Sequence, residues 1–281
     1  MTALVDLSDI VNRLTGGNSG TPQHIFSQLD GRIQAAAAAA PVANKWLSLW
    51  QYNQSNGANG AAPGAVEIPT RATIGSQPFV NPTGGRQQWL LGIEAALSQL
   101  CTLTMYDRLL HQGNLSGTVA TAQTVGGTMT RYTGAESVGN QIWVEIYTAL
   151  GSTATTITAS YTNQAGTAGR TTRAVAIGGT GNNEAQRMIP LMLQDGDTGV
   201  QSVQTVTLAA STLTAGAFGV TIVRPLAQFH CTGAGYLTVR DLIAGLPAVA
   251  EMKTDACLTY QLLAGATTAV SGVIAVHVIE A

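Results

Sequence analysis

The sequence predicts a mainly β protein with an α-helical N-terminal region and an antiparallel, jelly-roll-like β-sandwich as its C-terminal domain. Three observations predict it. From about residue 118 onward, short runs rich in Thr, Val, Ile and aromatic residues are separated by Gly- and Asn-rich turn signals. Before that point, apolar residues recur at 3- and 4-residue intervals. The chain of 281 residues is 45% hydrophobic and 10% charged, so it can bury a core without a disulfide or metal staple and lacks the signature of disorder.

Residues 1–52 read as a helical anchor. Leu4, Leu7, Ile10, Val11 and Leu14 share a helical spacing that stops at Gly16-Gly17. A second helical piece opens at Thr21-Pro22, a cap followed by proline at the first helical position, and runs through Ile25, Leu29 and Ile33 to Pro41. Trp46, Leu47, Leu49 and Trp50 then cluster, and a lone helix cannot bury them. Residues 53–85 read as a Gly/Pro-rich linker or extended arm, punctuated by Pro69, Pro78 and Pro82. Such a preset backbone suits a segment crossing a neighbouring subunit, or equally an ordered loop on its own chain.

Residues 86–113 read as a long amphipathic helix carrying Trp89, Leu90, Ile93, Ala96, Leu97, Leu100, Leu103 and Leu110, with Gly113 as its stop. Residues 118–281 form the expected sandwich. Eight runs carry it: 138–150, 154–162, 173–177, 188–193, 199–208, 219–225, 257–263 and 270–279. Within them, Ile142-Trp-Val-Glu-Ile-Tyr147 and Val203-Gln-Thr-Val-Thr-Leu208 mix polar and apolar residues as half-buried antiparallel strands do. Residues 238–244 are expected as a short helix, closed by Gly245-Leu-Pro247.

Charge and composition narrow the classes of function. The net charge of −2 argues against a nucleic-acid-coating surface. Of 13 basic side chains only Lys45 and Lys253 are lysine, so the surface lacks the usual Lys/Glu coat that keeps neighbours apart, and Arg favours interfaces. Six alanines at 35–40 are too short and too weakly apolar to cross a bilayer, and residues 1–9 lack the apolar core of a signal peptide. Cys101, Cys231 and Cys257 form no CxxC pair and no zinc spacing, so buried free thiols are expected in a reducing cytoplasm.

Little in the chain names a reaction. Asp107 and His111, four apart on the expected helix, could meet on one face as a metal pair or as a plain ion pair. Adjacent His230 and Cys231 point apart in a strand. Asp195-Gly196-Asp197 opens like a calcium loop without its later ligands, and a hairpin turn explains it better. Gly178-Gly-Thr-Gly181 is neither a dinucleotide nor a phosphate loop. No catalytic, cofactor or metal site is therefore assigned. Arg170 and Arg173 flank a glycine turn, where they could bind acidic groups on a partner or solvate a hairpin tip. With Trp46, Trp50, Pro69, Pro78 and Pro82 they form the expected interface set.

The run Ala154-Thr-Thr-Ile-Thr-Ala-Ser-Tyr-Thr-Asn-Gln-Ala-Gly-Thr-Ala-Gly-Arg-Thr-Thr172 is joined by Arg187-Met-Ile-Pro-Leu-Met-Leu-Gln-Asp-Gly-Asp197 and Gly219-Val-Thr-Ile-Val-Arg-Pro225. Together they resemble virion structural proteins of tailed bacteriophages, over about half the chain when residues 49–113 are included. The resemblance implies a many-copy particle component with a β-sandwich and no enzymatic site. Its partners would be itself and other virion proteins, the major capsid protein above all. The expected role is head decoration or a minor capsid position, made in the host cytoplasm and kept in the virion. A neck, tail or major-capsid place is the nearest rival. From another class, a carbohydrate-binding host-recognition module would present Trp143, Tyr147 and Tyr161 to sugar rings.

Overall fold

A computed structural model describes residues 22–29, 42–52, 58–242, 250–268 and 270–280. In chain order the strands are β1 (Pro22–Leu29), β2 (Trp46–Ser48), β3 (Gln88–Leu97), β4 (Cys101–Leu115), β5 (Gln123–Thr124) and β6 (Gln141–Thr148). They continue with β7 (Thr155–Asn163), β8 (Arg170–Thr171), β9 (Val175–Ile177), β10 (Met188–Leu191) and β11 (Val200–Leu208). The last are β12 (Ala217–Cys231), β13 (Leu237–Asp241), β14 (Ala250–Met252), β15 (Leu258–Ala264) and β16 (Gly272–Glu280). Two short 3-10 turns, at Trp50–Tyr52 and Gly134–Ser137, are the helical elements among the described residues.

The strands form three antiparallel sheets. A six-stranded sheet runs β10-β6-β12-β4-β15-β2. One five-stranded sheet runs β1-β16-β3-β13, with β14 also on β3, and the other runs β5-β11-β7-β8, with β9 also on β7. β4 and β12 are each 15 residues long and serve two cores. In the first core, Leu103, Met105, Phe229, Tyr260 and Leu262 of the central sheet meet Leu90, Ile93, Ile274 and Val276. In the second, Ile142, Val144, Ile146, Val220 and Ile222 meet Ile157, Tyr161, Val203 and Val206. Register shifts skip Leu109 in β4 and Leu226 in β12, so the inward set changes parity midway and one face supplies both cores.

All eight runs expected in the sandwich contain strands. The expected helices fare differently. The amphipathic helix over 86–113 is instead the pair β3 and β4, joined by a turn at Ser98-Gln99-Leu100. The cause is burial on both faces, since β4 is almost wholly buried and shows no clean period of two. The helical piece opening at Thr21-Pro22 is β1, paired residue by residue with β16, so a waiting sheet edge overrides the local spacing. Trp46–Ser48 is strand β2, and Leu237–Asp241 is strand β13 rather than the start of a helix. The pieces expected over 1–21 and 30–41, and the helix end at 243–249, lie outside the described residues. No helix among the described residues is long and apolar enough to cross a membrane.

Candidate functional site

The face of the central sheet turned away from the two cores carries the chain's buried ionic chemistry. Arg108 on β4 ion-pairs with Glu145 on β6 at 2.8 Å, with both side chains essentially without exposure. Its guanidinium also lies 4.3 Å over the Trp50 ring. Burial opposes the Arg108 charge, but the Glu145 carboxylate and its neighbours raise the guanidinium above its ordinary value. Arg108 Nη1 and His111 Nδ1 are 2.9 Å apart, and His111 Nε2 lies 2.9 Å from Glu67 Oε2. Because the guanidinium can only donate, His111 Nδ1 accepts and Nε2–H donates to Glu67. The imidazole is therefore neutral, and burial holds its pKa below the usual histidine range. The skipped Leu109 is what sets Arg108 and His111 on one face.

Asp107 points to the opposite face, between the two cores. Arg131 grips it through two nitrogens at 2.8 Å, and the Cys257 amide donates to it at 2.7 Å. Burial pushes the Asp107 carboxyl up, and Arg131 pulls against that shift. Asp107 and His111 thus take separate partners and do not meet as a pair. The charges of these groups are paired with one another, while Arg108 Nε and Glu145 Oε1 are buried without a hydrogen-bond partner. Among the described residues, no group of three His, Cys, Asp or Glu side chains could hold a metal ion.

Beside this network, across the same face, lies a cleft of about 710 Å³. Trp46 and Trp143 form one wall, edge to face with centroids 6.0 Å apart. Thr104 and Gln261 supply the floor from β4 and β15 and Gln228 of β12 the open side, where Gln228 and Gln261 both pair with Thr104 in register. The loop between β10 and β11 forms the far wall, turning at Gly196 with φ +88°. That loop is fixed by Asp197, which accepts from Tyr161 Oη at 2.5 Å, Asn163 Nδ2 at 2.7 Å and Arg170 Nε at 2.9 Å. The Arg170 hydrogen bond leads these contacts in holding the Asp197 pKa down at about 2. Two amide oxygens in the lining, Asn140 Oδ1 and Gln261 Oε1, are buried and have no hydrogen-bond partner.

A second surface lies on the outer face of the five-stranded sheet that holds β1. Leu237, Ala96 and Val273 stand in one cross-strand row, and Val239, Glu94 and Ala275 in the next. Leu237 is 63% exposed and Val239 56%, while Leu100, Tyr236 and Val273 are also exposed. β16 occupies one edge of β3, and β13 and β14 the other. Among the described residues no strand pairs with the outer edge of β13, and β13 carries no lysine.

The residues singled out for an interface are scattered. Trp50 is buried against Arg108 and donates from Nε1 to Ala61 O at 2.8 Å. The proline segment is stitched to its own chain: Glu67 and His111 exchange backbone hydrogen bonds, Pro69 O accepts from Arg131, and the Gln77 amide donates to Leu258 O. Pro69 is buried, and Pro78 and Pro82 are half-buried. Arg170 holds Asp197, and Arg173 pairs with Asp195 on the cleft rim. Trp46 lines the cleft. Of the aromatics considered for sugars, Tyr147 and Tyr161 are buried, with their hydroxyls on Glu145 and Asp197, and Trp143 alone reaches the cleft. Gln228 and Gln261 carry no local signal in the sequence, because only the strand register unites them. Cys101 and Cys231, distant in sequence, face each other across β4 and β12. They are buried free thiols, as is Cys257.

No family model matches the chain, and no curated protein does. Among solved structures it is similar to VP2 of infectious bursal disease virus in the subviral particle. That alignment has 10% identity over 98% of this chain and 86% of that one, with a TM-score of 0.17. A mutant VP2 of the same virus, from derived T=1 particles, aligns over 96% of this chain and 82% of its own, at 10% identity and a TM-score of 0.17.

Proposed function

We propose that this chain is a structural protein of a tailed-bacteriophage virion. It binds the head in many copies as a decoration or minor capsid protein, and it works by contact rather than catalysis. The observation that carries this reading is the apolar outer face around β13. A freely diffusing monomer normally guards such an edge with lysine, a bulge or a covering segment, and a contiguous exposed apolar patch marks a contact surface. Here Leu237 and Val239 stand on the edge strand itself, in a chain with two lysines in all. The sequence resemblance to virion proteins points the same way. A many-copy lattice needs only modest affinity at each such contact, since neighbouring contacts reinforce one another. The partners are other copies of this chain and the major capsid protein.

The test is the mass of the purified protein in solution together with its abundance in purified particles. The expected result is concentration-dependent assembly and many copies per particle. Replacing Leu237 and Val239 together by Lys should abolish assembly while leaving the melting temperature unchanged, because both side chains already face solvent. A protein that stays monomeric at high concentration and is missing from particles overturns the proposal. Copy number separates a head role from a neck or tail one.

A further inference from the structure

We propose that the Trp46–Trp143 cleft binds a neutral carbohydrate, a role that goes beyond the particle assignment and does not depend on it. Its volume of about 710 Å³ falls within the range of sites that enclose small ligands. Its chemistry selects the class. Asn140 Oδ1 and Gln261 Oε1 are acceptors left buried without a donor, although Asn140 is 1% exposed and Gln261 3%. A buried acceptor without a partner is costly, and a turn of the Gln261 amide toward the cleft would let a ligand hydroxyl satisfy its oxygen. The Asn140 amide nitrogen is already committed to Tyr132 O and Val200 O, which fixes its oxygen in place. Trp46 and Trp143 add an aromatic wall of the kind that packs on the apolar face of a pyranose ring.

Charge decides between a neutral and an ionic ligand. The ionisable groups lining the cleft are Arg173, Asp195 and Asp197. Arg173 and Asp195 pair with each other, and Asp197 is neutralised by Arg170 from behind the wall. No unpaired charge among the described lining residues is left for a phosphate, a sulfate or a carboxylate. The remaining polar side chains include primary amides, among them Gln228 on the open side, and the hydroxyls of Thr104 on the floor and Thr198. Such groups both donate to and accept from vicinal hydroxyls.

The experiment applies the intact protein to an immobilised panel of neutral oligosaccharides built from glucose, galactose, mannose and N-acetylglucosamine. The panel also carries sialylated and sulfated counterparts and a proline-rich peptide. The best binder is then titrated against intrinsic tryptophan fluorescence. The expected result is saturable binding of at least one neutral oligosaccharide, with a change in tryptophan emission and no gain from added charge. Gln261→Leu, which nearly preserves shape, should weaken it about tenfold, the effect of one lost buried hydrogen bond. Trp46→Ala and Gln228→Ala at the mouth should also weaken it, with unchanged circular dichroism. The proposal is overturned by no saturable binding to any neutral member at millimolar concentration, by preference for the charged glycans or the peptide, or by binding that Gln228→Ala and Trp46→Ala leave intact. Assembly into particles is read separately, so either proposal can fail without the other.

Discussion

Arg108 shows what a single side chain does in this protein. It neutralises Glu145, donates toward His111 and covers Trp50, all without exposure. Removing one member of such a pair leaves the other charge buried and uncompensated. Arg108→Met should therefore cost about 3–5 kcal/mol in urea denaturation. The double substitution Arg108→Met with Glu145→Leu should recover much of that loss, because an apolar pair of similar volume needs no desolvation. Equal stability of the single and double variants would refute the account. The neighbouring His111–Glu67 contact has a direction in pH. His111 sits below the ordinary value of 6.5, so the unfolded chain takes up its proton first. Stability then declines as pH falls below about 6.5 toward the folded value. The Glu67 pKa is also lowered, chiefly by the His111 hydrogen bond, so its contribution is present above its ordinary 4.5 and is lost as pH falls through the folded value. Melting curves between pH 7 and 5 should slope downward, and His111→Gln should flatten them.

The strands explain which parts of the fold are legible in sequence. β7 and β11 have one face in a core and mix apolar with polar residues, and each was readable. β4 has both faces covered, one by the cores and one by the ionic network, so its residues carry no face-to-face contrast. Leu97, Leu100 and Leu103 then match a helical spacing by accident. β1 is extended because β16 offers it eight partners, which no local pattern reports. Of the cleft, Trp46, Trp143, Arg173 and the Asp195-Gly196-Asp197 turn stood out in sequence, whereas Thr104, Gln228 and Gln261 converge through register across three strands. At the far end of the same strand pair, one glycine holds β12 close to β4. A Cβ on Gly219 would lie 2.0 Å from Gln112 O, against the backbone of β4. Gly219→Val should part β12 from β4 and cost several kcal/mol, about the range of core overpacking or more. A soluble variant melting like the parent would show that the two strands can separate cheaply.

At the scale of the molecule, two cores share one sheet. Because β4 and β12 contribute to both, neither core can open while the other keeps its strands. Unfolding in denaturant should be one transition, coincident by far-ultraviolet circular dichroism, tryptophan emission and thiol exposure. Cys101, Cys231 and Cys257 supply the last probe, since all three are buried free thiols. Burial pushes the Cys257 thiol up, so a thiol reagent should find it unreactive in the native state and accessible only after global opening. Two separated transitions, with one core melting first, would contradict this.

The same two strands set how the protein answers a mechanical load. A tug on the β13 edge enters β3, crosses the first core to the central sheet, and then travels along fifteen-residue stretches of covalent backbone into the second core. There is no flexible joint at the midpoint of that route, only bulged strands locked by the Asp107–Arg131 clamp. A chain built this way behaves as a stiff girder, and a load imposed at one end would be passed on rather than absorbed.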